Sequence, residues 1–205
     1  MKLPRPPAPH ELSFADADVR RETELVLWRV HRTSGDHVVA WNQLRHWGPS
    51  TLGRFDPHQP PPRTQRIGVS YTALDISTAL AEVYQQRRYV NTRRSDPYLT
   101  AWSPARTLRL LDLTSDWPIR HGASYTLNTG RRDHCRSWAR TIYHARPDLD
   151  GLWHHSSMTG SALVTLYTAS ADSFPPHPML SLPLAHPGLR PRLAAACNQI
   201  GFGLL

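Results

Sequence analysis

Lysine is almost missing from this chain of 205 residues: Lys2 is the only one, so the formal charge of +8 rests on arginine. The arginines are scattered, and no basic run resembles a recognition helix or a tail. A nucleic-acid-binding module is therefore the weaker reading of a basic chain. Cysteine is scarce as well. Cys135 and Cys197 are too few for a disulfide framework and too widely spaced for a zinc site, which fits a reducing compartment. No segment approaches the roughly 18 consecutive apolar residues of a membrane-spanning helix, and "LPRPPAPHELSFADADVRRE" lacks the apolar stretch of an export signal. A cytoplasmic protein with no membrane partner is the expectation.

What the chain does have is 40% apolar residues, enough for a core without staples, and 19 prolines that punctuate it. Residues 1–23 read as an irregular lead-in on the surface. Strands are expected over Glu24–Val30, Ile67–Ala73 and Arg106–Thr114, separated by a long irregular passage whose "PHQPPP" (57–62) excludes regular structure. After Asp75, a helix cap, Ile76, Ala79, Leu80, Val83 and Tyr84 recur at the spacing of one buried helical face, with Glu82 on its flank. Thr129–Ala145 reads as a second helix. "LDGLWHHSSMTGSALVTLYT" reads as two strands joined by a Ser/Gly-rich turn, and a last helix ends at Gly201. No repeat or linker divides residues 24–205, so the fold class is α+β, a single mixed domain.

Four features carry possible chemistry: Arg29 within a strand, Arg54 in "LGRFD", Tyr71 at a strand end before the helix that holds Glu82, and Ser156 in "DGLWHHSS". Each has an ordinary reading, as an ion-paired arginine, a core aromatic, a solvated helix glutamate or a turn serine. His134, His154 and His155 raise a metal-dependent hydrolase, but adjacent histidines on a strand face opposite ways and make a poor chelate, so no metal is expected.

Taken together, the order "WR", "GRFD", "YTALDISTALAEV", "LDLT", "DGLWHHSS…LVTLY" resembles the RES-domain family, from about Leu27 to Tyr167. The family's two arginines fall on Arg29 and Arg54, its tyrosine on Tyr71, its glutamate on Glu82 and its serine on Ser156. Phe55 and Asp56 stand where the family's usual motif has Trp and Asn, and His154 where many members carry Tyr. The "PHQPPP" segment lengthens the loop after Arg54 and is expected to be a surface insertion. The resemblance implies a fold similar to bacterial ADP-ribosyltransferase toxins, with NAD as a substrate that is consumed, no cofactor, and a cognate antitoxin of Xre type over the active site. Nucleic acid would be met only through that antitoxin. The lack of a Gly-x-Gly-x-x-Gly opening a helix agrees. Some members hydrolyse or phosphorolyse NAD and some transfer ADP-ribose to a protein.

The bond chemistry fits one carboxylate. Nicotinamide leaves NAD as a neutral molecule and needs no proton, unlike the alkoxide of an ordinary glycoside. On this reading Glu82 opposes the charge of an oxocarbenium-like transition state. Arg29 and Arg54 hold the pyrophosphate, Tyr71 packs on the nicotinamide or ribose, and Ser156 bonds the carboxylate or the ribose.

Overall fold

The computed structural model describes residues 4–205. In chain order the first half contains β1 (Val19–Glu22), β2 (Leu27–Arg32), β3 (Arg45–Gly48), β4 (Arg63–Ala73), helix α1 (Ile76–Tyr84), β5 (Tyr89–Val90) and β6 (Pro97–Trp102). The second half contains β7 (Leu108–Asp112), the short helices α2 (Trp117–Arg120) and α3 (Thr126–Thr129), then α4 (Arg132–Ala145), β8 (Gly151–His155), β9 (Ala162–Tyr167), β10 (Leu180–Pro183), α5 (Arg190–Ile200) and β11 (Gly203–Leu204). The architecture is α+β. A mixed sheet runs β1-β7-β8-β9-β4-β2-β6-β10, with β3 on β4, and β5 and β11 form a separate parallel pair.

The break in this sheet positions the cleft. β2 pairs with β6 along its whole length but with β4 only at Trp28–Ala73. β9 occupies one edge of β4 from Val69 to Ala73, and β3 joins the other edge at Val69 and below. Between these two contacts the edge of β4 at Ser70, Tyr71 and Thr72 has no ladder partner, and β2 and β3 splay around the gap.

Packing explains the helices. Asp75 caps α1 by accepting the Thr78 amide at 2.7 Å, and Leu80 and Ala79 are buried against strands β2 and β4. Val83, expected on the buried face, is 48% exposed and borders the cleft instead. On α4, which starts three residues later than the expected Thr129, Cys135, Trp138, Ala139 and Ile142 recur at helical spacing and are buried in one core cluster with Trp117, Leu111 and Leu152. Trp102, Trp117 and Trp138 are fully buried, and truncating one to Ala would cost about 3–5 kcal/mol. α5 ends at Gly201, whose left-handed φ of 67° suits glycine.

Two sequence expectations change. The lead-in is irregular only in part: Val19–Glu22 pairs with β7, Leu12 is buried, and the Trp138 and Trp117 indoles donate to the Pro4 and Ser13 carbonyls. β6, buried except for half-exposed Tyr98 and not assigned from the sequence, is an interior strand between β2 and the edge strand β10, reached through a turn whose Ser95 and Asp96 have positive φ.

Candidate active site

Arg29, Arg54, Tyr71 and Glu82 line one cleft of about 680 Å³, within the range of small-molecule sites. Strand β2 supplies Arg29, the loop after β3 supplies Arg54, the unpaired edge of β4 supplies Tyr71, and α1 supplies Glu82.

Ser156 does not line the cleft. It is 3% exposed at the end of β8, where its hydroxyl accepts the Met158 and Thr159 amides at 3.0 and 3.1 Å. Its single proton goes to Oε1 of Glu82 at 2.6 Å. With both roles of the hydroxyl filled, its side-chain partner is the Glu82 carboxylate. The same turn is tied to α1 a second time by Thr159 and Thr78 hydroxyls 2.9 Å apart. Oε2 of Glu82 has no hydrogen-bond partner among the described residues.

The start of β8 is anchored with equal care. Asp150 is 2% exposed, binds Arg106 through both carboxylate oxygens at 2.8 and 2.9 Å, and accepts the Arg109 amide. Gly151 follows because a Cβ there would lie 2.0 Å from the Thr165 carbonyl oxygen. The Asp-Gly pair is thus structural, and it sets the register that carries Ser156 to Glu82.

Arg29 reaches the cleft half-buried, with Nη1 donating to the Ala40, Trp41 and Gln43 carbonyls at 3.0–3.1 Å. No carboxylate pairs with it among the described residues. Burial, and then the Arg45 charge, lower its pKa to about 10, so it stays cationic at neutral pH but lacks a counter-anion. Arg54 likewise has no carboxylate. It donates to the Gly130 carbonyl and, at 3.1 Å, to the Ser157 hydroxyl.

Five buried side-chain polar atoms find no partner among the described residues, and four of them belong to cleft residues: Tyr71 Oη, Ser70 Oγ, and Nδ1 of His31 and His155. Buried polar groups are normally satisfied, so these four atoms are exceptions. Burial, and then the Asp56 charge, raise the Tyr71 pKa well above its ordinary value, keeping it a neutral hydroxyl. Gly53 packs beside it, and a Cβ there would come 2.4 Å from that oxygen and force the ring to shift.

The RES domain, by its family description, matches residues 26–185. The chain belongs to the RES-domain family. Among solved structures, one chain of the crystal structure of the M. tuberculosis MbcT-MbcA toxin-antitoxin complex superposes on this RES domain with a TM-score of 0.59. The two are 16% identical, and the alignment covers 88% of this chain and 94% of that one. At that identity the likeness is one of fold. Among curated proteins, none matches the sequence.

The departures from the usual RES pattern are mutually accommodated. Phe55 and His154 pack on each other with ring centroids 4.5 Å apart. Asp56 is fully buried and accepts from Arg45 (2.6 Å), His58 Nδ1 (2.6 Å) and the Ser50 amide (2.7 Å). Burial alone would raise its pKa, but the His58 and Arg45 contacts outweigh that and hold it below the usual carboxylate range. The "PHQPPP" segment is consequently not a plain surface insertion. Its His58 is buried and gives Asp56 two hydrogen bonds, from the backbone amide at 3.1 Å and from Nδ1 at 2.6 Å. Arg45, which lines the cleft, was not singled out from sequence. It sits in a four-residue strand with no periodic signal.

His154 is a core residue. Its Nε2 meets the Thr165 hydroxyl at 2.8 Å, and burial lowers its pKa to about 3. Among the described residues no group of three or more His, Cys, Asp or Glu is arranged for a metal, and no helix is long and apolar enough to cross a membrane.

Proposed function

We propose that this RES domain cleaves the nicotinamide N-glycosidic bond of NAD, and that it does so as the toxin of a toxin-antitoxin pair. The observation that carries the chemistry is the single cleft carboxylate, Glu82, oriented by Ser156 and facing unpaired arginines. Its free oxygen would accept from the ribose 2′-hydroxyl and oppose the positive charge that grows on the ring as nicotinamide departs. Because the leaving group is neutral, no second acid is required. Arg29 and Arg54 would bind the pyrophosphate, directing remote binding energy to orientation of the reacting carbon. Tyr71, on the cleft wall, would pack on the ribose or nicotinamide.

The toxin role is supported by family membership and by the fold likeness to a chain of a toxin-antitoxin complex. An antitoxin covering the cleft is the corresponding partner. A concave site converging on a carboxylate speaks against a nucleic-acid module, whose signature is a continuous basic surface. Expression of the chain alone should arrest bacterial growth with loss of cellular NAD, and purified protein should release nicotinamide. Arrest with unchanged NAD would redirect the reading to ADP-ribosylation of a protein. The absence of both arrest and NAD loss would refute it.

A further inference from the structure

The charge balance of the cleft exceeds what a pyrophosphate requires. Seven arginines line it against one carboxylate, Glu82. Arg29 and Arg54 account for a diphosphate. Arg45 is neutralised by Asp56, and Arg132 is engaged with Gln85 at 2.7 Å. The remaining three, Arg32, Arg87 and Arg94, have no ion pair or side-chain hydrogen bond among the described residues.

These three are exposed residues carried on neighbouring segments of the cleft lining. Arg32 closes β2 opposite Pro97, and the next residue, Thr33, is bonded to the Asp96 carbonyl through its amide and hydroxyl. Arg94 lies in the same 91–96 turn, held by its amide to the Asn91 side chain. Arg87 follows α1, its amide bonded to the Tyr84 carbonyl, while the Tyr84 hydroxyl donates to the Asn91 carbonyl and closes the ring of contacts. Arg88, Ser95 and Asp96 beside them are the described non-glycine residues with positive φ. Strained backbone of this kind persists where a local arrangement is over-determined. Asp96 makes no ion pair with any of the three and does not line the cleft. Tyr84 and Tyr89, both half-buried on the cleft wall, give an adjacent aromatic surface on which a base can pack.

We infer that Arg32, Arg87 and Arg94 form a second anion subsite that binds a phosphomonoester on the adenosine half of the dinucleotide, making the 2′-phosphorylated form, NADP, the preferred substrate. A phosphomonoester carries close to two charges and three acceptor oxygens, which suit several arginine forks arriving from different directions. This inference rests on the NAD-cleaving reading of the same cleft.

The test is a comparison of kcat/KM for NADP and NAD, with binding of 2′-phospho-ADP-ribose and ADP-ribose measured by calorimetry. NADP should be favoured by about tenfold or more, and Arg32→Ala and Arg94→Ala should each lower that ratio several-fold. Arg21→Ala, which removes an exposed charge on β1 outside the cleft, should leave the ratio unchanged. Equal kcat/KM for the two substrates, or an equal loss in Arg21→Ala, would overturn the subsite. So would a requirement for inorganic phosphate that the Arg32 and Arg94 variants weaken. If neither dinucleotide is consumed, the NAD reading fails while binding still decides the subsite. Tighter 2′-phospho-ADP-ribose that loses its advantage in the variants supports it, and equal binding overturns it.

Discussion

Ser156 and Glu82, 74 residues apart, meet through a 2.6 Å hydrogen bond in which the serine hydroxyl can only donate, because two backbone amides already occupy it as acceptor. The carboxylate is thus aimed by a fixed turn and not by solvent. In Ser156→Ala the fold should persist with a lower Tm, since the Met158 and Thr159 amides lose their partner. Steady-state kinetics on NAD should show kcat down roughly 10–100-fold, the scale of a hydrogen bond to a charged group, with KM nearly constant. A change in KM alone would mean that Ser156 holds substrate.

Glu82→Gln keeps the shape and the Ser156 contact but removes the charge. NAD should still bind while turnover falls by roughly 10² or more. Calorimetry for binding and nicotinamide release for turnover separate the two effects, and full activity in this variant would take Glu82 out of the chemistry.

Arg29→Lys should restore little of what Arg29→Ala loses. A single ammonium cannot bond the Ala40, Trp41 and Gln43 carbonyls and still present donors to a pyrophosphate. KM for NAD is expected to rise in both variants, and Arg54→Ala should behave alike. Parental kinetics in Arg29→Lys would remove the clamp.

Stability should fall on mild acidification. The folded His154 ring takes its proton only near pH 3, whereas in the unfolded chain it does so near 6.5. Between those values the unfolded chain binds more protons, so this contribution is complete above pH 6.5 and declines as pH drops toward 3. From pH 6.5 to 4.5 the loss is about 2–3 kcal/mol. Urea unfolding at the two pH values measures it. His154→Gln, unable to titrate, should be less stable at pH 6.5 yet lose less on going to 4.5.

Asp56→Asn, which restores the residue usual in the family, should weaken the dependence of stability on pH below about 4. The depressed Asp56 pKa contributes stability that is present above the unfolded carboxylate value and lost as pH falls through the folded one. The variant leaves His58 and Arg45 without a buried anion, so its Tm at pH 7 should drop. An unchanged Tm would show that the Arg45–Asp56–His58 cluster contributes little.

The features legible in the one-dimensional pattern are those with a local cause. Asp75 caps α1 because a carboxylate can reach an amide three residues on, and Gly201 ends α5 because its φ is positive. The stripe on α4 and the flank position of Glu82 follow from the helical period, and the arginine, tyrosine, glutamate and serine of the site were all named from their order along the chain. Local pattern misjudged Val83, which shares the α1 stripe but meets the cleft where a covering element would be needed. Folding alone set the rest. β6 took its interior place because it pairs with β2 and β10, partners distant in sequence. The cleft exists because β2 leaves β4 after one residue pair, and Ser156 meets Glu82 and stays out of the cleft lining because the 156–161 turn consumes its hydroxyl. His58 became a buried hydrogen-bond partner of Asp56 for the same kind of reason. Strand pairing and charge burial depend on what other parts of the chain bring to the same place, and no window of neighbouring residues contains that information.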